Sequence, residues 1–210
     1  MIVSLNEIET TILKAARGAG MEWGLAEEAA HAAAFLARLC LPFEEPCLRL
    51  FSSRAWNANP VVEGACIRPD RLEARLCPIR TGAYLSDLGS ADAMTLMHVV
   101  SPLLLLPFIA TAKQNSDLAW KGVKLRFEPP NVTLASIGPC ALLASEAEKA
   151  SLSPIAGDAF EGHLLVVHDG GVRVDDASWA KLHGYEALTY VPASAKSRVS
   201  GAGAGAIDND

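Results

Sequence analysis

The stretch Ser4-Leu5-Asn6-Glu7-Ile8-Glu9-Thr10-Thr11-Ile12-Leu13-Lys14-Ala15-Ala16-Arg17-Gly18 sets a serine three residues ahead of a glutamate. It then places Leu5, Ile8, Ile12, Leu13 and Ala16 on one helical face. Serine at that spacing from glutamate satisfies the free N–H groups of a helix start. The early acids Glu7 and Glu9 and the late bases Lys14 and Arg17 suit the helix dipole, and Gly18 and Gly20 supply the stop. These signals predict a helix over 5–17. A second, alanine-rich helix is predicted over 25–40, opened by Glu27 and Glu28 and closed by Pro42. The two form a helical hairpin, and the residues beyond Pro42 decide what kind of fold it joins.

Residues 42–78 hold many turn-formers and only short apolar runs, which predicts loops with helical turns near Phe51 and Trp56. A short helix is expected over 92–100. The run 103–111, flanked by Pro102 and Pro107, reads equally as helix or strand. Beyond Trp120 the texture alternates: 123–127 and 132–136 around Pro129-Pro130-Asn131 predict two strands, with another over 140–144. Residues 164–167 and 172–174 flank His168-Asp169-Gly170-Gly171, a hairpin signal. A helix carrying Trp179 and Leu182 is expected over 176–186, then a last strand over 188–191. The predicted class is α+β, a helical hairpin followed by a mainly antiparallel sheet with packed helices. It is read as one domain over 1–191 plus a Ser/Gly-rich segment over 192–210.

Composition excludes several classes. In a chain of 210 residues, 18 Lys plus Arg face 24 Asp plus Glu, for a formal net charge of -6, with no long basic run. No basic footprint for nucleic acid is present. The most apolar stretch, 99–112, is broken by Pro102 and Pro107 and falls short of the ~20 residues a membrane-spanning helix needs. The start has no positively charged region ahead of an apolar one, so no secretory signal is read. Cys40, Cys47, Cys66, Cys77 and Cys140 form an odd set with no C-x-x-C pair, which points to reduced thiols in a cytoplasm.

Few motifs carry chemistry. Gly201-Ala202-Gly203-Ala204-Gly205-Ala206 satisfies the dinucleotide pattern G-x-G-x-x-A, yet only four residues come after it, so neither the helix nor the later acid can exist. What the segment does offer is Ser194, Lys196, Ser197 and Arg198 ahead of Gly201, Gly203 and Gly205. Hydroxyls, cations and backbone N–H groups in that order suit an anionic group; a solvated tail is the other reading. Ser178-Trp179-Ala180-Lys181 matches S-x-x-K without its partner motifs, and a surface helix explains it. His163 and His168, with Asp169, Asp175 and Asp176, cluster in sequence. Five residues apart on a strand, the two histidines face opposite sides, which is poor for a shared metal. Arg75, Arg80 and Asp87, around Cys77-Pro78, form a small polar set read as a pocket lining or a solvated rim.

The chain carries two family resemblances. Ser4 to Glu9, Leu13 to Gly20 and Trp23 to Ala30, with the ending Thr189-Tyr190-Val191-Pro192-Ala193-Ser194, Ser197-Arg198 and Gly201 to Gly205, resemble the bacterial family called domain of unknown function 3726. The resemblance implies that the glycine-rich segment is ordered and used, and it transfers no catalytic residue. The hairpin is also similar to the opening of the type 2 malate and lactate dehydrogenases, which carry a catalytic histidine in a Ser-His-Gly segment after the second helix. Here that loop reads Leu41-Pro42-Phe43-Glu44-Glu45-Pro46, with no histidine. The sequence therefore assigns no catalytic residue, no cofactor and no metal. It leaves two expectations: a cytoplasmic protein that binds or acts on a small anionic metabolite through the C-terminal segment, or a non-catalytic accessory subunit or homo-oligomer. The second would use the hairpin's apolar face or residues 102–111.

Overall fold

A computed structural model describes residues 1–89, 92–112, 114–155, 157 and 160–190. The chain opens with β1 (Ile2–Val3), then α1 (Leu5–Gly18) and α2 (Trp23–Arg38), which pair as the predicted hairpin. The Ser4 hydroxyl accepts the Glu7 N–H at 3.1 Å, so the start of α1 is the one its sequence signals. Helix α3 (Glu44–Ser53) and a 3-10 turn at Ala55–Asn57 lead into the hairpin β2 (Pro60–Glu63) and β3 (Cys66–Pro69). Next come α4 (Pro78–Leu88), β4 (Met94–Val100), a 3-10 turn at Pro102–Leu105 and α5 (Leu106–Thr111). The second half holds β5 (Ser116–Trp120), β6 (Val123–Glu128), β7 (Asn131–Ser136), α6 (Pro139–Leu142) and β8 (Glu146–Pro154). It ends with β9 (His163–Leu164), β10 (Val172–Arg173) and α7 (Asp176–Ala187).

Among the described residues, eight strands form one sheet in the order β2-β3-β4-β8-β5-β6-β7-β9, and β1 pairs with β10 in a second. Only the β3–β4 pair of the large sheet is parallel; its other ladders are antiparallel. The α+β class is the one the sequence predicts.

Several local expectations are corrected. Residues 94–100 are strand rather than helix. The run is rich in β-branched and apolar residues and lies between β3 and β8, so no amphipathic period develops. Helical structure forms near Phe51 and Trp56 as expected, but Phe51 belongs to a ten-residue helix, and residues 60–69 form a hairpin rather than a loop. Residues 139–142 are a helical turn, not a strand. The segments flanking His168-Asp169-Gly170-Gly171 do not pair with each other: β9 joins β7, and β10 joins β1. There the Asp169 carboxylate is engaged by Arg38 at 2.6 Å and the His168 N–H donates to the Arg38 carbonyl, so helix α2 holds the turn. Residues 188–190 continue α7 as a turn instead of forming a strand.

The hydrophobic core runs without a break through helices and sheet. Helix α2 buries Ala26, Ala29, Ala30, Ala32, Ala33 and Ala37 and touches α1, α3, α4 and α5. Ile8, Ile12 and Ala16 of the α1 stripe are buried, with Leu5 and Leu13 partly so, and Leu103 to Leu106 are buried as well, whereas Thr111 is exposed. Helix α7 packs on α1 and α3 and is capped by Asp175, whose carboxylate accepts the Ser178 N–H at 2.8 Å. Its Trp179 is fully buried, the core anchor its position in the S-x-x-K pattern suggested.

On the sheet, Asp117 of β5 takes Arg126 of β6 in a two-pronged ion pair at 2.8 and 2.9 Å, and Lys124 joins at 2.8 Å. Burial pushes the Asp117 carboxyl up, but the hydrogen bonds from Arg126 and Lys124 outweigh it and hold the group below its ordinary range. A depressed carboxyl contributes stability above the ordinary carboxylate value of about 4, and that contribution is lost as pH falls. Asp117→Asn is expected to cost about 3 kcal/mol at neutral pH. In urea unfolding the gap to wild type closes on acidification through the carboxylate range; a gap constant with pH would refute the assignment.

Gly18 marks a point of close approach, since a Cβ there would collide with the Tyr185 carbonyl oxygen, whereas one at Gly24 meets nothing within 4 Å. Gly18→Ala is expected to destabilise by about 1–3 kcal/mol. Gly24→Ala, inside α2, is expected to stabilise by about 0.4–1 kcal/mol. Urea midpoints that move in opposite directions are the check.

Candidate arginine-lined cavity

Between the end of α3 and the connection from β3 to α4 lies a cavity of about 610 Å³, lined among others by Arg54, Asn57, Arg71, Glu73 and Arg75. Arg54 caps α3 in the left-handed conformation, at φ 50 and ψ 39, and its side chain makes no hydrogen bond or ion pair with the described residues. Arg71 donates to the Asn57 carbonyl at 3.0 Å and meets the Asp70 carboxylate at 3.4 Å. Arg75 is held most firmly, its Nε donating to Glu146 at 2.5 Å and its Nη1 to the carbonyls of Glu73 and Ala74 at 3.0 and 3.3 Å.

Behind Arg75 the contacts continue. The second oxygen of Glu146, at the start of β8, meets His98 Nδ1 of β4 at 2.9 Å. Partial burial pushes the Glu146 carboxyl up, but its bonds to Arg75 and His98 prevail and keep it below the usual range. His98 has φ 54 within a strand, and Ser101, at the strand's exit, has φ 42. Ser101 is buried with a hydroxyl that has no partner among the described residues. A non-glycine residue in the left-handed region costs roughly 1–2 kcal/mol, and such strain collects at functional sites. Four non-glycine residues have positive φ among the described residues, and Arg54, His98 and Ser101 are three of them.

The structure separates the residues that the sequence singles out. Arg75 lines the cavity. Arg80 is linked to it through Asn59: its Nη1 donates to Asn59 Oδ1 at 3.1 Å, and Asn59 donates to Asp70, the partner of Arg71, at 3.3 Å. Asp87 is exposed further along α4 and makes none of these contacts. Ser194, Lys196, Ser197, Arg198, Gly201, Gly203 and Gly205 lie outside the described residues. Arg54, His98 and Glu146 are not among the residues expected from sequence. The one linear signal is arginine density, with Arg68, Arg71, Arg75 and Arg80 inside a short stretch.

Other polar clusters have structural explanations. Glu186, buried on α7, accepts from Lys14 of α1 at 3.1 Å and from the Tyr190 hydroxyl, and meets His183 at 2.6 Å, which ties α7 to α1. Burial pushes the Cys47 thiol far up and the Cys77 thiol to about 11, so neither supplies a thiolate near neutral pH. No group of three or more metal-type side chains comes together among the described residues, and no helix there is long and apolar enough to cross a membrane.

Residues 3–45 match the family described as protein of unknown function (DUF3726). The match spans α1, α2 and the first residues of α3, and the arginine cavity lies outside it. No curated protein matches the chain. No solved structure matches it either.

Arg54→Gly relieves the left-handed strain and is expected to raise stability by about 1 kcal/mol, read as a higher urea midpoint. An unchanged or lower midpoint would show that the Arg54 side chain is itself a stabilising contact.

Proposed function

We propose that this protein binds a small anionic metabolite in the cavity between Arg54, Arg71 and Arg75. The observation that carries the reading is that Arg54, Arg71 and Arg75 line one cavity, the first with no ion-pair partner among the described residues. Guanidinium forks match carboxylate and phosphate oxygens, and each charge-assisted contact contributes about 1.5–3 kcal/mol. Arg71 and Arg75 are fixed by protein oxygens, so little side-chain entropy is lost when a ligand arrives. Arg54 is the free fork. The ligand class is the one the C-terminal residues Ser194, Lys196, Ser197 and Arg198 would also take, and we propose that segment as a second contributor to the same binding.

A thermal-shift screen of the intact chain across sulfate, phosphate, carboxylates and nucleotides tests this. An anion that raises the melting temperature of wild type, with affinity reduced about 10- to 150-fold in Arg54→Gly, supports the cavity. A version ending at Pro192 separates the contribution of the C-terminal segment. No shift by any anion, or equal shifts in wild type and Arg54→Gly, would overturn the cavity as the site.

A further inference from the structure

We infer that Glu146 and His98 are positioning residues of this cavity, and that a proton on His98 strengthens its hold on an anion; this rests on reading the arginine cavity as an anion site. Arg75 joins the cavity to the pair. It stands in the cavity wall, and its Nε is committed to Glu146 Oε2 at 2.5 Å, while Glu146 Oε1 meets His98 Nδ1 at 2.9 Å. The guanidinium is further fixed by the Glu73 and Ala74 carbonyls, which leaves its Nη2 without a partner among the described residues. The side chains of Arg75, Glu146 and His98 are each about one-third exposed, at 37%, 31% and 37%. They stand where partial burial weakens the screening but protons still exchange.

The charge of the trio depends on one proton. With His98 neutral, Glu146 balances Arg75 and the trio carries no net charge. With His98 protonated, the carboxylate is shared between two cations and the trio carries one net positive charge. The charged groups that bear on His98 come from each neighbouring element. Glu146 of β8 touches it, and Lys149 of β8 pairs with the neighbouring Met97. Arg75 approaches from the β3–α4 connection. Arg68 of β3 is ion-paired to Glu63 of β2.

Backbone geometry marks the arrangement as more than a surface ion pair. His98 interrupts β4 with a left-handed φ of 54, and its carbonyl accepts the Leu76 N–H at 2.8 Å, one residue beyond Arg75. The same distortion that places the imidazole on Glu146 therefore also fixes the backbone that carries Arg75. By linkage, an anion that binds better when His98 is protonated makes His98 harder to deprotonate.

The test uses sulfate, whose charge stays constant across about pH 5.5 to 8, in a buffer free of other polyvalent anions. Sulfate affinity is measured by calorimetry on the full-length chain across that range, for wild type and His98→Asn. Asparagine keeps a donor near the Nδ1 position and tolerates the left-handed backbone, and its melting temperature verifies folding. Wild type is expected to bind sulfate about fivefold or more tightly at the acid end. His98→Asn should bind with an affinity that no longer changes with pH. The imidazole signals of His98 should titrate at higher pH in saturating sulfate. Sulfate binding in wild type whose pH dependence survives His98→Asn would overturn the inference and leave the anion site standing. Absence of sulfate binding at every pH would overturn both.

Discussion

The alanine surface of α2 is the constraint on which the rest of the structure depends. Alanine adds no rotamer entropy cost and holds neighbouring backbones close, so one helix can be approached from several directions at once. With Ala26, Ala29, Ala30, Ala32, Ala33 and Ala37 buried, α2 is contacted by α1, α3, α4 and α5. Larger side chains at those positions would push the helices outward. The cavity inherits this geometry, because one wall is the end of α3 and the other leads into α4.

The cavity also shows why total charge is a poor guide to local recognition. The chain carries a net negative charge, which repels anions at long range. At the cavity, Arg54 is unpaired among the described residues, and Arg71 and Arg75 keep guanidinium edges that their partners do not occupy. On the sheet, Arg126 and Lys124 are both held by the Asp117 carboxylate. The contrast between a largely buried cluster on the sheet and a more exposed one at the helix ends separates a structural charge network from a candidate binding surface.

The fold is legible in the sequence where local chemistry and final structure agree. Helices α1, α2 and α7 carry caps, periodic apolar residues or alanine enrichment, and the β6–β7 pair carries alternation around a proline turn; these elements form where expected. It is opaque where distant partners decide. Strand β8 reads Glu-Ala-Glu-Lys-Ala-Ser-Leu-Ser-Pro, a composition without strand preference, yet it pairs with both β4 and β5. The Asp-Gly-Gly turn carries a local hairpin signal, but Arg38 claims the aspartate and the flanking strands find other partners. At the site, Arg75 and Arg80 stand out because they are neighbours in sequence. Glu146 lies 71 residues from Arg75 and 48 from His98, so their association belongs to the sheet and not to any motif.

The contact between α1 and α7 bears on how the molecule is made. Lys14 and Glu186 are 172 residues apart, and Gly18 lies against the carbonyl of Tyr185. During synthesis the α1–α2 hairpin leaves the ribosome first and can form from local contacts, while the helix that covers it is still untranslated. For most of that interval an apolar flank of the hairpin waits for its cover.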